Sequence, residues 1–209
     1  MHIAEGIMSA PVLIGGAALT AAGLARGLRA IDADNLPRVG LMSAALLVAS
    51  LIHVPIGPSS AHLILNGLAG LLLGWAVFPA LLVALLLEAI LFQFGGLTTL
   101  GVNTAIMACP AIACHLLFGR LIWRRDWTGK AAAFAAGALA VALAGVLLAT
   151  SLYLSGQGFE KAAILVLAIH GPMMVIEGLI CTLCVSFLRT VKPAMLPGAK
   201  QQLETERAA

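Results

Sequence analysis

Charge is what this 209-residue chain has least of: Asp, Glu, Lys and Arg make up 10% of it, and aromatic residues 5%, with a single tyrosine. So little polarity excludes an ordinary soluble domain. The four cysteines, Cys109, Cys114, Cys181 and Cys184, all fall inside apolar segments. Cys181 and Cys184 form a C-x-x-C without a second pair, so they read as small packing residues and not as a metal or disulfide framework. There is no G-x-x-x-x-G-K-[ST], and none of the four lysines follows a glycine-rich loop, so any ATP hydrolysis belongs to a partner. The absence of H-E-x-x-H and of a nucleophile paired with a base argues against an intramembrane metalloenzyme. No basic residue precedes Arg26, which leaves Met1-His2 without the charged start of a cleavable signal peptide. The net charge of +3 offers no footprint for nucleic acid.

What is present is hydrophobicity: 61% of residues are apolar and the mean hydropathy is +1.05. The chain is expected to be an all-α integral membrane protein in a lipid bilayer. Seven apolar segments lie at about 8–29, 38–53, 61–76, 79–94, 100–122, 130–154 and 162–189. The third and fourth are short and close together, so a re-entrant hairpin is the alternative to two spans. Residues 1–190 read as one membrane domain and 191–209 as a cytoplasmic tail. With seven spans, Arg26, Arg29 and Arg38, then Arg120, Arg124, Arg125 and Lys130, and finally Arg189, Lys192, Lys200 and Arg207 share one face. Lys161 alone lies opposite. The positive-inside tendency makes the basic face cytoplasmic and starts Met1 outside. Small residues also recur every four positions, at Ala17, Ala21 and Ala25, at Gly70 and Gly74, and at Ala132, Ala136, Ala140 and Ala144. Such faces let helices approach closely, within the chain or against another subunit.

An uncut Met1-His2 is a ready-made chelate. The α-amine, the His2 amide nitrogen and the His2 ring Nδ1 can close adjacent five- and six-membered rings on one divalent transition ion. On the expected topology His53, His62 and His170 also lie in the outer half, where ring nitrogens could complete a site for Co2+, Ni2+, Cu2+ or Zn2+. Each of these, and His115 near the inner end, has the competing reading of a hydrogen-bonding histidine between helices. Glu88 and Glu177 lie inside apolar segments, where carboxylates are expensive. They are expected to accept hydrogen bonds from loop backbone or from His170, which shares a helix face with Glu177. The alternative is a self-sufficient proton-coupled divalent metal carrier that uses both.

Met1-His2-Ile3-Ala4-Glu5-Gly6 resembles the start of the cobalt and nickel uptake permeases of the CbiM/NikM family, and the form of the Pro55 to His62 block is slightly closer to the cobalt members. The blocks Pro55 to His62 with Asn66-Gly67, Gly95 to Thr104, and His170-Gly171-Pro172 through Ile176-Glu177-Gly178 look like the same family. The resemblance spans residues 1 to about 188. It implies the substrate-binding membrane subunit, or S component, of an energy-coupling-factor ABC transporter in the inner membrane, importing Co2+ or Ni2+ for cobalamin synthesis or metalloenzymes. It implies as partners a membrane coupling subunit, two cytoplasmic ATPases and a small accessory membrane subunit, and no cofactor. It also implies metal ligation by Met1, His2 and, by motif, His62, with His53 the less favoured histidine. Gly96, Thr99, Asn103 and His170 are candidates to support or cover that site. The Gly95-Gly96 pair can form a lid or a simple turn. One departure is Phe94, where many family members carry His.

Overall fold

A computed structural model describes residues 3–56, 59–124, 126–156 and 160–196. Helix α1 (Ala10–Arg29) starts with a proline in its first turn and ends with Arg26 and Arg29, cations at the negative end of the helix dipole. A polar turn follows. Asp32 and Asn35 exchange backbone-to-side-chain hydrogen bonds of 2.8 and 3.0 Å, and the Asn35 amide donates to the Ala30 carbonyl, which sets the start of α2 (Leu36–Ser50).

After α2 the chain forms two short antiparallel strands, β1 (His53–Ile56) and β2 (Ser59–His62), with His53 opposite His62. This segment was expected to divide between the second span, a loop and the third span. Pro55, whose nitrogen has no proton to give a helix, accounts for the change. The third apolar stretch therefore turns helical only at Asn66. Helix α3 (Asn66–Leu73) is eight residues long and stops at Gly74, whose φ of +54° few other residues would accept. A single 3-10 turn leads into α4 (Val77–Phe92). Then come α5 (Leu100–Phe118), α6 (Trp127–Ser155) and α7 (Glu160–Val191).

Among the described residues, five stretches are long and apolar enough to cross a membrane, with 66–92 counted as one, and α2 is a shorter apolar helix. Large side chains such as Leu41, Ile90, Leu116, Leu165, Leu183 and Phe187 face outward. Outward-facing apolar side chains suit a lipid solvent, in which close packing and internal hydrogen bonds hold helices together. Small residues supply that packing. Helix α1 presents Gly16 to Val102 of α5, Gly23 to the Phe78 ring and Gly27 to Pro79, so none of the three has space for a Cβ. Ala132, Ala136, Ala140 and Ala144 are buried along α6, where Gly137 lies against Glu177 and Cys181 of α7. That stripe serves internal packing. The Ala17, Ala21 and Ala25 face of α1 is exposed instead.

The short α3 is held at both ends. The Glu177 carboxylate accepts the Ile64 N–H through Oε1, and the Leu65 N–H lies 3.0 Å from each of its oxygens. At the other end the His115 ring hydrogen-bonds to the Gly70 and Leu71 carbonyls. In between, the Asn66 amide donates to Met107 O at 3.2 Å and Ala140 O at 3.4 Å, tying α3 to α5 and α6. Leu65 has a φ of +51°, uncommon for a leucine, and the carboxylate helps hold it there. The structural reading of Glu177 thus accounts for its position. Glu177→Ala strands two buried N–H groups at about 1–3 kcal/mol each. Thermal unfolding in detergent should show a Tm several degrees lower for Glu177→Ala. Glu177→Gln, which keeps one acceptor oxygen, should lose less.

Candidate metal centre

Residues 3–5 form an arm that precedes α1 and lies against the start of α5. Its peptide groups are gripped by side chains. The Ile3 N–H donates to Asn103 Oδ1 at 3.1 Å, and the Ile3 carbonyl accepts from Asn103 Nδ2 at 3.2 Å and from Thr99 Oγ1 at 2.9 Å. Asn103 thus uses both ends of its amide on one residue, in the manner of a strand partner. Thr99 and Asn103 are buried, as is the Ile3 side chain, which packs on Val102 and Ile106 of α5 and on Leu148 and Leu152 of α6. Further out, the Glu5 carboxylate accepts the Thr98 N–H at 3.2 Å. A Cβ on Gly96 would collide with the Glu5 side chain, so this glycine makes room for the arm. The Gly95 to Asn103 block is accordingly a cradle for the N-terminal segment. Met1 and His2 themselves lie outside the described residues.

His62 ends β2, almost buried. Its Nδ1 lies 3.0 Å from the Leu63 carbonyl. A carbonyl can only accept, so that nitrogen carries the proton and Nε2 holds the ring's lone pair. This is the arrangement usual for a histidine that ligates a metal while a backbone carbonyl fixes its tautomer. Burial pushes the ring below the ordinary imidazole range, against the opposing pull of the Leu63 carbonyl and the Glu88 charge. The neutral form is therefore favoured. His62 lines a small cavity of about 10 Å³ with Leu46 and Ser50 of α2, Leu85 and Glu88 of α4, and Met107 of α5. Room for about one water molecule is also room for one ion. Glu88 is buried on the same cavity.

The structure thus brings Gly96, Thr99 and Asn103 together around the arm and places His62 beside Glu88. His170, buried on α7, packs against Gly145 of α6. His115 is committed to the end of α3, and the side chain of His53 lies outside the described residues. Among those described, no group of three or more His, Cys, Asp or Glu side chains is arranged to hold a metal. Two contributors were missed in the sequence. Glu5 belongs to the opening motif, but nothing local indicates that its partner is a backbone amide 93 residues away. Asn66 belongs to a motif block, but nothing local indicates that its amide ties α3 to α5 and α6.

Comparisons with known proteins bear on the family and the fold. The family model described as the cobalt uptake substrate-specific transmembrane region, CbiM, matches residues 2–195. A Haemophilus influenzae protein named "Putative metal transport protein" is 42% identical over 94% of this chain and 97% of its own length. A cobalt transport protein CbiM of Sorangium cellulosum is 31% identical over 94% of each. A fused nickel transport protein NikMN of Rhodobacter capsulatus is 39% identical over 52% of this chain and 33% of its own length. A solved structure of a truncated transition metal transporter superposes with a TM-score of 0.70 at 24% identity, covering 90% of this chain and 98% of that one. At that identity the likeness speaks for the fold. With its long apolar helices, it makes this a multi-pass membrane protein.

The clamp on Ile3 is directly testable. Asn103→Ala removes two of its three hydrogen bonds. A cysteine at position 3, buried in the wild type, should be slow to react with a water-soluble maleimide. It should react many-fold faster when Asn103 is alanine. Equal rates would show that the arm is held by its apolar contacts alone.

Proposed function

Since the chain belongs to the CbiM family of cobalt uptake transmembrane regions, we propose that it captures Co2+ or Ni2+ at the outer membrane face, as the substrate-binding subunit of an ATP-driven energy-coupling-factor transporter. One observation carries the reading: the peptide of Ile3 is clamped to Asn103, one turn along α5 from Met107, which lines the His62 cavity. One turn is about 5–6 Å along the axis, and two residues of extended chain reach about 7 Å. On this proposal the two residues before the clamp are the ones that meet His62. The α-amine of Met1, the amide nitrogen of His2 and its ring supply three nitrogens on one side of a square plane, and His62 supplies the fourth. Square-planar nitrogen suits Ni2+ and also holds Co2+. The amide must lose its proton and the amine must be neutral, so affinity falls as pH is lowered. Gly96, Thr99 and Asn103 act by holding the arm, and Glu88 places a negative charge beside the incoming cation.

The rest of the reading concerns assembly. Seven spans with the N-terminus outside and the C-terminus in the cytoplasm put the chelate where an ion arrives. The chain carries no nucleotide-binding motif, so a membrane coupling subunit with two cytoplasmic ATPases supplies the energy, and a small accessory membrane subunit joins them. The exposed Ala17, Ala21 and Ala25 face offers close helix contact to such a subunit. The proton-coupled alternative loses ground because Glu177 is occupied with the Ile64 and Leu65 amides.

A single glycine added before Met1 leaves every side chain intact but changes the ring sizes. Bound metal per protein should collapse, and full retention would sink the terminal chelate. His62→Ala should remove most of the affinity and His53→Ala little; the reverse ranking would move the fourth ligand to His53. Accumulation of radioactive cobalt by cells should require the coupling and ATPase subunits together with this chain. Uptake by the chain alone, abolished by dissipating the proton gradient, would instead support the carrier.

A further inference from the structure

At the end of the molecule away from the arm, α6 and α7 part to form an open cleft of about 630 Å³ lined by Lys130, Ser186, Arg189 and Thr190. Its chemistry is of one kind. Lys130 and Arg189 bring two cations, and Ser186 and Thr190 bring two hydroxyls that can donate. The Arg189 guanidinium lies over Gly129, in the first turn of α6, where a Cβ would come within 2.9 Å of it. The positive dipole end of a 29-residue helix therefore lies beside the same cations. Asp126, the residue before α6, faces Arg124 at 3.6 Å and accepts a hydrogen bond from the Thr128 hydroxyl. No ion pair to Lys130 or Arg189 occurs among the described residues.

Depth identifies the ligand. Trp127, strongly exposed, begins α6 three residues before Lys130, and amphipathic tryptophans sit at the level of lipid headgroups. On the other wall, Ser186 to Thr190 occupy the last turns of α7, which ends at Val191. Leu183 and Phe187 lie exposed along the same stretch of α7, where acyl chains would run. The cleft is thus polar and cationic at headgroup depth and apolar beside it. We propose that the cleft between the N-terminus of α6 and the C-terminus of α7 binds the phosphate of an anionic phospholipid, with Lys130 and Arg189 as the charged contacts and Ser186 and Thr190 as hydroxyl donors. A lipid seated there would bridge the two longest helices of the fold at the end where the basic residues gather. It would also hold α7, whose Glu177 fixes α3, in register with α6. Basic pockets between transmembrane helices are a known setting for anionic headgroups.

The test uses the full chain in a neutral detergent, probed with phosphatidylglycerol, phosphatidylcholine and inorganic phosphate. Phosphatidylglycerol should raise the Tm by several degrees, and native mass spectrometry should retain one such lipid per protein. Phosphatidylcholine and inorganic phosphate should do neither. Lys130→Gln with Arg189→Gln should abolish both effects, while Arg29→Gln with Arg38→Gln, distant in the fold, should leave them. Should the first pair fail to fold, Ser186→Ala with Thr190→Val should still weaken lipid retention several-fold. Equal stabilisation by inorganic phosphate would make this a free-anion site and overturn the lipid assignment. So would full retention of the lipid by the Lys130 and Arg189 variant. The outcome is independent of metal binding, since no residue of the arm or the cavity takes part.

Discussion

A backbone N–H inside a bilayer has no water to turn to, and two of them, at Ile64 and Leu65, are answered by one carboxylate. Much of the arrangement depends on that contact. Because Glu177 receives both amides, α3 can begin abruptly at Asn66 with Leu65 in a left-handed conformation. An abrupt start leaves room for the paired strands before it, so His62 ends β2 beside the cavity and not within a helix. A continuous helix from residue 61 would have carried His62 along the helix wall and directed it by helical period alone. The carboxylate is fixed in turn by α7, whose contact with α6 runs through glycines and alanines that allow the two backbones to close. Small residues in one interface thus determine where a histidine in another element comes to rest.

The N-terminal arm follows the same logic. Its buried peptide groups need partners, and among the described residues no strand lies beside it. Asn103 substitutes by presenting both a carbonyl oxygen and an amide to Ile3, while Thr99 adds a hydroxyl one turn earlier. Both are buried, and Thr99 also donates to the Gly96 carbonyl and accepts from the Asn103 amide. Without the arm Asn103 Oδ1 would lose its Ile3 partner in a buried setting, where an unpaired polar atom is costly.

How far the sequence foretold this varies by element. Composition was enough for the membrane class, because it follows from the sum of many residues. Most long helices were also legible, since 20 or more apolar residues between charged turns leave few alternatives. The hairpin at 53–62 was not, because its signal is two prolines inside a run whose hydropathy continues a span. The division of 66–92 at Gly74 was legible as a break but not in its geometry. Motif resemblance brought Asn103, Thr99 and Gly96 forward, yet their task of gripping Ile3 and Glu5 depends on contacts 93 to 100 residues apart. The small-residue stripes looked alike on paper. Only packing separated the buried stripe of α6 from the exposed one of α1.

That division of labour bears on how the proposed site would choose its ion. The inherent preference of nitrogen ligands runs toward Cu2+, so a site that favours Co2+ or Ni2+ must penalise the wrong geometry and cannot rely on affinity. Penalties require stiffness. On one side the arm is pinned at Ile3 by three hydrogen bonds, two residues after the proposed chelate begins. On the other the His62 ring is pinned by the Leu63 carbonyl, and Leu63 directly precedes the Ile64 amide held by Glu177. An ion that fits poorly would have to move one of these anchors, each backed by buried hydrogen bonds worth about 1 kcal/mol or more. The cavity beside His62 is small enough to leave its ring little empty space to move into. Selectivity on this scheme is set by the two anchors rather than by the identity of the nitrogens, which any of these metals would accept.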